Sequence, residues 1–136
     1  REIMRSVHSV LYLTASELFD SLLDRTLNKT DENQLLYEQI QTCDLLIIDD
    51  LGIERNTEYA QEQVYAVIDE RYKSGLPVII TTNLLINEIR NPADVAHARI
   101  YSRVLEMCTP VHIGGSDRRK SIGMDKQKAV KEVLGL

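Results

Sequence analysis

Two adjacent carboxylates, Asp49 and Asp50, end the apolar run Leu45-Leu46-Ile47-Ile48 and are followed by a Leu51-Gly52 turn. Burying the four aliphatic side chains is favourable. Holding two charged groups at the end of such a run is not, because each carboxylate resists leaving water. A buried strand that ends this way places acidic groups at its rim. In an open α/β sheet, the rim at the strands' carboxyl ends is where ligands bind. A carboxylate there can hold a hydrated magnesium ion, which keeps several waters and needs few protein ligands. A second carboxylate nearby can orient a water for attack on a terminal phosphate. The stretch is read as a magnesium and nucleotide site; a strand followed by a solvated acidic turn is the other reading of the same residues.

Elements further along the chain separate the two. Val78-Ile79-Ile80-Thr81-Thr82 is an apolar run with no polar alternation in its first half, as expected of a parallel strand covered on both faces, and Asn83 sits at its carboxyl end. Val7 to Leu13 is rich in β-branched and aromatic residues and predicts a strand. Thr14 and Glu17 have capping-box spacing, and Leu18, Phe19, Leu22, Leu23 and Leu27 recur at helical spacing through residue 28. A second short helix carries Leu35, Leu36 and Ile40. Asn56 or Thr57 starts another, with the stripe Ala60, Val64, Val67, Ile68 and Tyr72, which Gly75 ends. A short helix is expected near Asn87, a longer one from Pro92 or Ala93 to Met107, a short strand at Val111-His112-Ile113, and a final amphipathic helix through Ala129, Val130, Val133 and Leu134. Strands alternating with helices imply right-handed crossovers and a parallel sheet. Asp49, Asp50, Thr82 and Asn83 then share one edge, which favours the magnesium and nucleotide reading.

Composition sets the bounds. The 136 residues suggest one domain; with no Trp and one Phe, the core is aliphatic. No apolar run approaches the roughly 18 residues needed to span a membrane, and the start does not read as a secretion signal, so a cytoplasmic protein is expected. Cys43 and Cys108 lie far apart without metal-ligand spacing and read as packed thiols. His8, His97 and His112 are equally scattered. Residues 1–96 hold 8 basic and 17 acidic residues, whereas 97–136 hold 8 basic and 4 acidic. An acidic body argues against non-specific coating of DNA by the whole surface; the basic C-terminal quarter suits phosphates or an acidic neighbour. Arg99 and Arg103 lie four apart on one helical face, and with Arg118 and Arg119 they are the candidate cations for a phosphoryl-transfer site. Arg71 reads as structural, pairing with an acidic neighbour or a sheet end.

Five segments in order resemble the DnaC/IstB branch of the AAA+ ATPases: Leu46-Ile47-Ile48-Asp49-Asp50-Leu51-Gly52, Asp69-Glu70-Arg71-Tyr72, Ile79-Ile80-Thr81-Thr82-Asn83, Arg99-Ile100-Tyr101-Ser102-Arg103-Val104 and Gly115-Ser116-Asp117-Arg118. The resemblance implies ATP and Mg2+ as cofactors. It assigns Asp49 to magnesium, Asp50 to water activation, Asn83 to sensor 1, Arg103 to the arginine finger acting on a neighbouring subunit's nucleotide, and Arg118 to sensor 2. It implies self-assembly into a ring or spiral, and coupling of hydrolysis to delivery of a replicative helicase onto single-stranded DNA. A transposition helper with the same engine and a transposase partner is the close alternative. Arg25 and Lys29 are the only basic residues in the segment where loaders approach DNA.

One departure stands out: the chain contains no G-x-x-x-x-G-K-[ST] loop, whose backbone N–H groups and Lys cradle phosphates. The expected fold is therefore an α/β, parallel-sheet P-loop NTPase (AAA+) core lacking its first strand, phosphate loop and first helix. It comprises a partial core over residues 1–120 and a C-terminal helix over 121–136. Such a chain is expected to bind ATP poorly by itself, which leaves a catalytically inactive interaction fragment as the alternative from another class. The resemblance also places the lost strand between those at 78–82 and 111–113, so the last strand is expected to be unpaired, moved, or completed by another chain. A phosphoacceptor receiver domain fits less well, since the strand at 78–82 lacks a carboxylate and that at 111–113 lacks a Lys.

Overall fold

A computed structural model describes residues 8–52 and 57–115. The elements run β1 (Val10–Thr14), α1 (Ala15–Leu27), α2 (Asp31–Thr42), β2 (Leu45–Asp49), α3 (Glu58–Ser74), β3 (Val78–Ile80), α4 (Ile86–Arg90) and α5 (Val95–Met107). The three strands form one parallel sheet in the order β1-β2-β3, with Thr14 beside Asp49 and Ile48 beside Ile80.

Local signals set the helix ends. Thr14 caps α1 with the expected capping box: its hydroxyl accepts from the Glu17 amide, while its own N–H donates to Glu17 Oε2 at 2.7 Å. Gly75 ends α3 in the left-handed region, at φ 68. One contiguous cluster joins Leu18 and Leu22 of α1, Ile40 of α2, Val64, Val67 and Ile68 of α3, and Ile100 and Val104 of α5 to Leu46 and Ile48 of the central strand. Leu46 and Ile48 are fully buried, each stabilising the fold by about 1.5–3 kcal/mol relative to exposure. The alternate residues Val10, Tyr12 and Ile79 stand on the other face and are about half exposed.

Three expectations are corrected. The strand from Val78 is three residues long, and with Ile79 49% exposed it is not covered on both faces, because the described helices bury only one side of the sheet. The N-terminal strand begins at Val10. Residues 111–113 form no strand, and Val111 and Ile113 are exposed. Among the described residues no strand pairs with the outer edge of β3, so this segment has not moved to that open edge, which is the unpaired outcome anticipated above. The expected helix at 129–134 lies outside the described residues.

At the amino edge of the sheet, Asp44 ties β1 to β2. Its Oδ2 accepts the His8 and Ser9 amides, both at 2.8 Å, while its own N–H donates to Ser9 Oγ at 3.0 Å. Those amide bonds, His8 first and then Ser9, hold the Asp44 carboxyl below its ordinary range. A depressed carboxylate pKa contributes stability that is complete above the unfolded value, near 4, and is lost as pH falls through the folded one. Asp44→Asn is therefore expected to lower stability at neutral pH and to flatten its loss in acid. Melting temperatures measured between neutrality and strong acid check this, and parallel profiles for the two proteins would contradict it.

Candidate active site

The parallel register brings the candidate residues together. Beyond Ile80 the pairing continues for one residue: Thr81 N–H donates to Ile48 O at 3.0 Å, and Leu51 N–H donates to Thr81 O at 2.9 Å. Thr81 thus lies against the end of β2. Its hydroxyl donates to Asp49 Oδ1 and accepts the Asp50 N–H at 3.0 Å. From the other side, the Tyr12 hydroxyl donates to Asp49 Oδ2 at 2.5 Å. Asn83 Nδ2 donates to Asp50 Oδ1 at 3.3 Å. The two carboxylates therefore turn to different partners. The hydrogen bond to Asp49 is the largest cause holding the Tyr12 phenol above its ordinary pKa.

The turn after β2 is built for this divergence. Asp50 has φ 58, a left-handed conformation in which Asp and Asn are enriched among side-chain-bearing residues. Gly52 follows at φ 104, and a Cβ there would lie 2.6 Å from Leu84 Cδ1. Leu51 between them is buried. Thr82 shapes the facing turn, donating to Leu51 O at 2.6 Å and accepting the Leu84 N–H at 3.1 Å.

The donor set suits a hard cation. Asp49, Asp50, Thr81 and Asn83 offer only oxygen ligands, and magnesium is held by one or two carboxylates together with substrate phosphates rather than by a protein cage. Among the described residues no group of three His, Cys, Asp or Glu converges. A cavity of about 10 Å³ lined by Phe19, Leu51, Val64, His97 and Tyr101 lies behind the turn; it has room for about one water.

The cations lie elsewhere. Arg103, on α5, pairs with Asp69 Oδ1 at 3.0 Å and Glu106 Oε2 at 2.7 Å, and its guanidinium lies 4.2 Å from the centre of the Tyr72 ring. Hydrogen bonding to Glu106, and then to Tyr65, raises its pKa further. Arg99 stacks on Tyr65 at 4.5 Å. Arg118 lies outside the described residues. Arg25 is committed to packing, 3.5 Å above the Tyr37 ring and bonded to Gln34. Arg71 follows the sheet-end reading. It is 1% exposed, and its guanidinium donates to Cys43 O at 2.6 Å and Pro77 O at 2.5 Å. His97 bonds its own helix cap, Asp94, at 2.6 Å. Cys43 is buried beside Arg71, and burial pushes the Cys108 thiol up.

Sequence reasoning missed Thr81 and Tyr12 as site residues. Thr81 had a signal: its hydroxyl group ends an aliphatic strand that register places next to Asp49. Tyr12, an aromatic residue within a strand, gives only a packing signal, although it alternates onto the same face as Asp49.

A parallel sheet with acidic residues at the carboxyl edge of its central strand and a polar residue at that of the next is the arrangement of the P-loop AAA+ ATPases, and the fold is of that class. A crystal structure of the DnaC helicase loader matches it with a TM-score of 0.60 and 24% identity, over 77% of this chain and 60% of that one. The chain belongs to the family of IstB-like ATP binding proteins, whose model matches residues 1–127. It is 28% identical over 113 residues to the replicative helicase loader DnaI of Bacillus subtilis, covering 76% of this chain and 34% of that protein. It is 25% identical over 88 residues to the replicative helicase loader DnaC of Escherichia coli K12, covering 65% and 36% respectively. The chain thus spans about a third of the length of these curated relatives. Among the described residues no helix is long and apolar enough to cross a membrane.

Proposed function

We propose that this chain supplies the magnesium- and water-handling half of a replication ATPase of the helicase-loader type. The observation that carries the reading is the Asp49–Thr81–Asp50–Asn83 cluster at the carboxyl edge of the sheet. Asp49 would hold Mg2+ on the phosphates of ATP, and the ion would supply charge neutralisation as the terminal phosphoryl group transfers. Asp50 accepts a proton from the attacking water. Asn83, bonded to Asp50, reports the terminal phosphate. The relatives named as replicative helicase loaders support a replicative helicase as the partner; single-stranded DNA as the place of loading belongs to the same proposal.

Arg103 is paired with Asp69 of α3 and Glu106 of α5, whereas Asp49 and Asp50 bond Tyr12, Thr81 and Asn83 at the sheet edge. These different partners support a finger presented to a neighbouring subunit in a ring or spiral. The test is titration of the full-length protein with ATP, with and without magnesium, followed by turnover in the assembled state. Magnesium-dependent binding and turnover are expected. Arg103→Ala is expected to leave binding by isolated subunits intact and to reduce assembled turnover by about 10³-fold or more, the usual weight of such a residue. Full turnover by the variant removes Arg103 from the site, and no magnesium-dependent binding by the wild type removes the proposed function.

A further inference from the structure

Thr81 joins the two carboxylates through a single atom. A hydroxyl has one proton to give and lone pairs to accept with. Thr81 Oγ1 gives its proton to Asp49 and accepts the backbone N–H of Asp50 at 3.0 Å. It therefore orients one carboxylate while fixing the backbone from which the other departs at φ 58. Its own position is held by main-chain bonds on both sides, to Ile48 O and from Leu51 N–H, and its branched Cβ restricts χ1. The Tyr12 hydroxyl bonds the other Asp49 oxygen from β1.

We propose that Thr81 is a positioning residue that presents Asp49 to a magnesium–nucleoside triphosphate, with the Tyr12 hydroxyl completing the clamp. The inference rests on the functional reading above. A carboxylate held by hydroxyls on the strands to either side loses rotational freedom that a metal ligand would otherwise have to give up on binding. Such outer partners typically govern 10–100-fold in metal affinity or activity. Valine has the shape of threonine but neither bond; serine keeps both with a less restricted rotamer. Tyr12 is 55% exposed, so water can replace its hydroxyl and Tyr12→Phe has the smaller effect.

The experiment uses the full-length protein and Mn2+ with adenylyl imidodiphosphate. Bound Mn2+ is measured by electron paramagnetic resonance, and nucleotide binding in EDTA is measured alongside. Thr81→Val is expected to weaken Mn2+–nucleotide binding about tenfold or more while leaving metal-free nucleotide binding and the melting temperature close to wild type. Thr81→Ser is expected to restore most of the loss. Wild-type Mn2+ affinity in Thr81→Val, or an equal loss with and without metal, overturns the inference while the ATPase reading stands. A wild-type protein whose nucleotide affinity is indifferent to Mn2+, and whose Asp49→Ala variant matches it, overturns both.

Discussion

Asp50→Asn in the full-length protein is expected to slow ATP turnover by about 10²–10⁴-fold, the usual contribution of a positioned general base, with magnesium–nucleotide binding nearly unchanged. The substitution isolates the charge. Asn tolerates the left-handed backbone at φ 58 about as well as Asp does. Its side-chain oxygen can still accept from Asn83, which now sits 3.3 Å from Asp50 Oδ1. The backbone N–H that donates to Thr81 is untouched, and so are the two hydroxyl bonds to Asp49. Only the capacity to take a proton from water disappears. Asp50→Ala is a poorer probe, because it removes the Asn83 contact and leaves an ordinary side chain in a conformation that costs roughly 1–2 kcal/mol. Phosphate release at saturating ATP, measured beside calorimetric binding, decides the matter. Turnover near wild type excludes Asp50 as the base. A collapse of binding shows that its role is to hold the turn.

The readable part of this site is the part that strand ends create. A strand end is visible in a sequence because hydrophobic periodicity stops there, and Asp49, Asp50 and Asn83 all stand at such stops. Their convergence needed only a parallel sheet, which the alternation of strands and helices implied. Thr81 was harder to see, since a threonine closing a β-branched run is itself a good strand former; its bridging role appears only when register puts Ile80 beside Ile48. Tyr12 was hidden for a related reason. An aromatic residue in a strand reads as core, and here the face it occupies is half exposed. Arg103 shows a different limit. The spacing of Arg99 and Arg103 places both on one face of α5, but Asp69 and Tyr72, which hold Arg103, come from α3, about thirty residues earlier. The expected last strand failed because strand formation depends on pairing as well as on propensity, and residues 111–113 do not pair with the open outer edge of β3.

Arg71→Ala is expected to destabilise the fold by about 3–5 kcal/mol, the loss of two hydrogen bonds from a charged donor at about 1.5–3 kcal/mol each. Helical periodicity places Arg71 in the last turns of α3, where a solvated arginine would be ordinary, yet its side chain is fully buried. The fixed fork of the guanidinium explains its use here. Nη1 donates to Cys43 O at 2.6 Å and, more weakly, to Gln41 O at 3.4 Å, while Nη2 donates to Pro77 O at 2.5 Å. One side chain therefore satisfies carbonyls at the end of α2 and at the entrance to β3, the two segments that lead into neighbouring strands. Each hydrogen bond from a charged donor contributes about 1.5–3 kcal/mol, and a buried carbonyl left without one costs about 1–3 kcal/mol. Arg71→Lys keeps the charge but has no planar fork to span two carbonyls, so it should recover less than half of the loss. Arg71→Met keeps much of the volume, and separates packing from hydrogen bonding. Urea denaturation with unchanged m-values measures all three, and a loss under 1 kcal/mol for Arg71→Ala would show the carbonyls to be satisfied without it. The consequence reaches the active edge. Leu46 N–H also donates to Pro77 O at 3.3 Å, so Arg71 and the first rung of the β2–β3 ladder meet at one carbonyl. The register started there runs through Ile47–Ile79 and Ile48–Ile80 to deliver Thr81 against Asp49. Weakening the amino end of the ladder should therefore loosen the carboxylate clamp at the other end, and Arg71→Lys should lose metal–nucleotide affinity in step with its loss of stability.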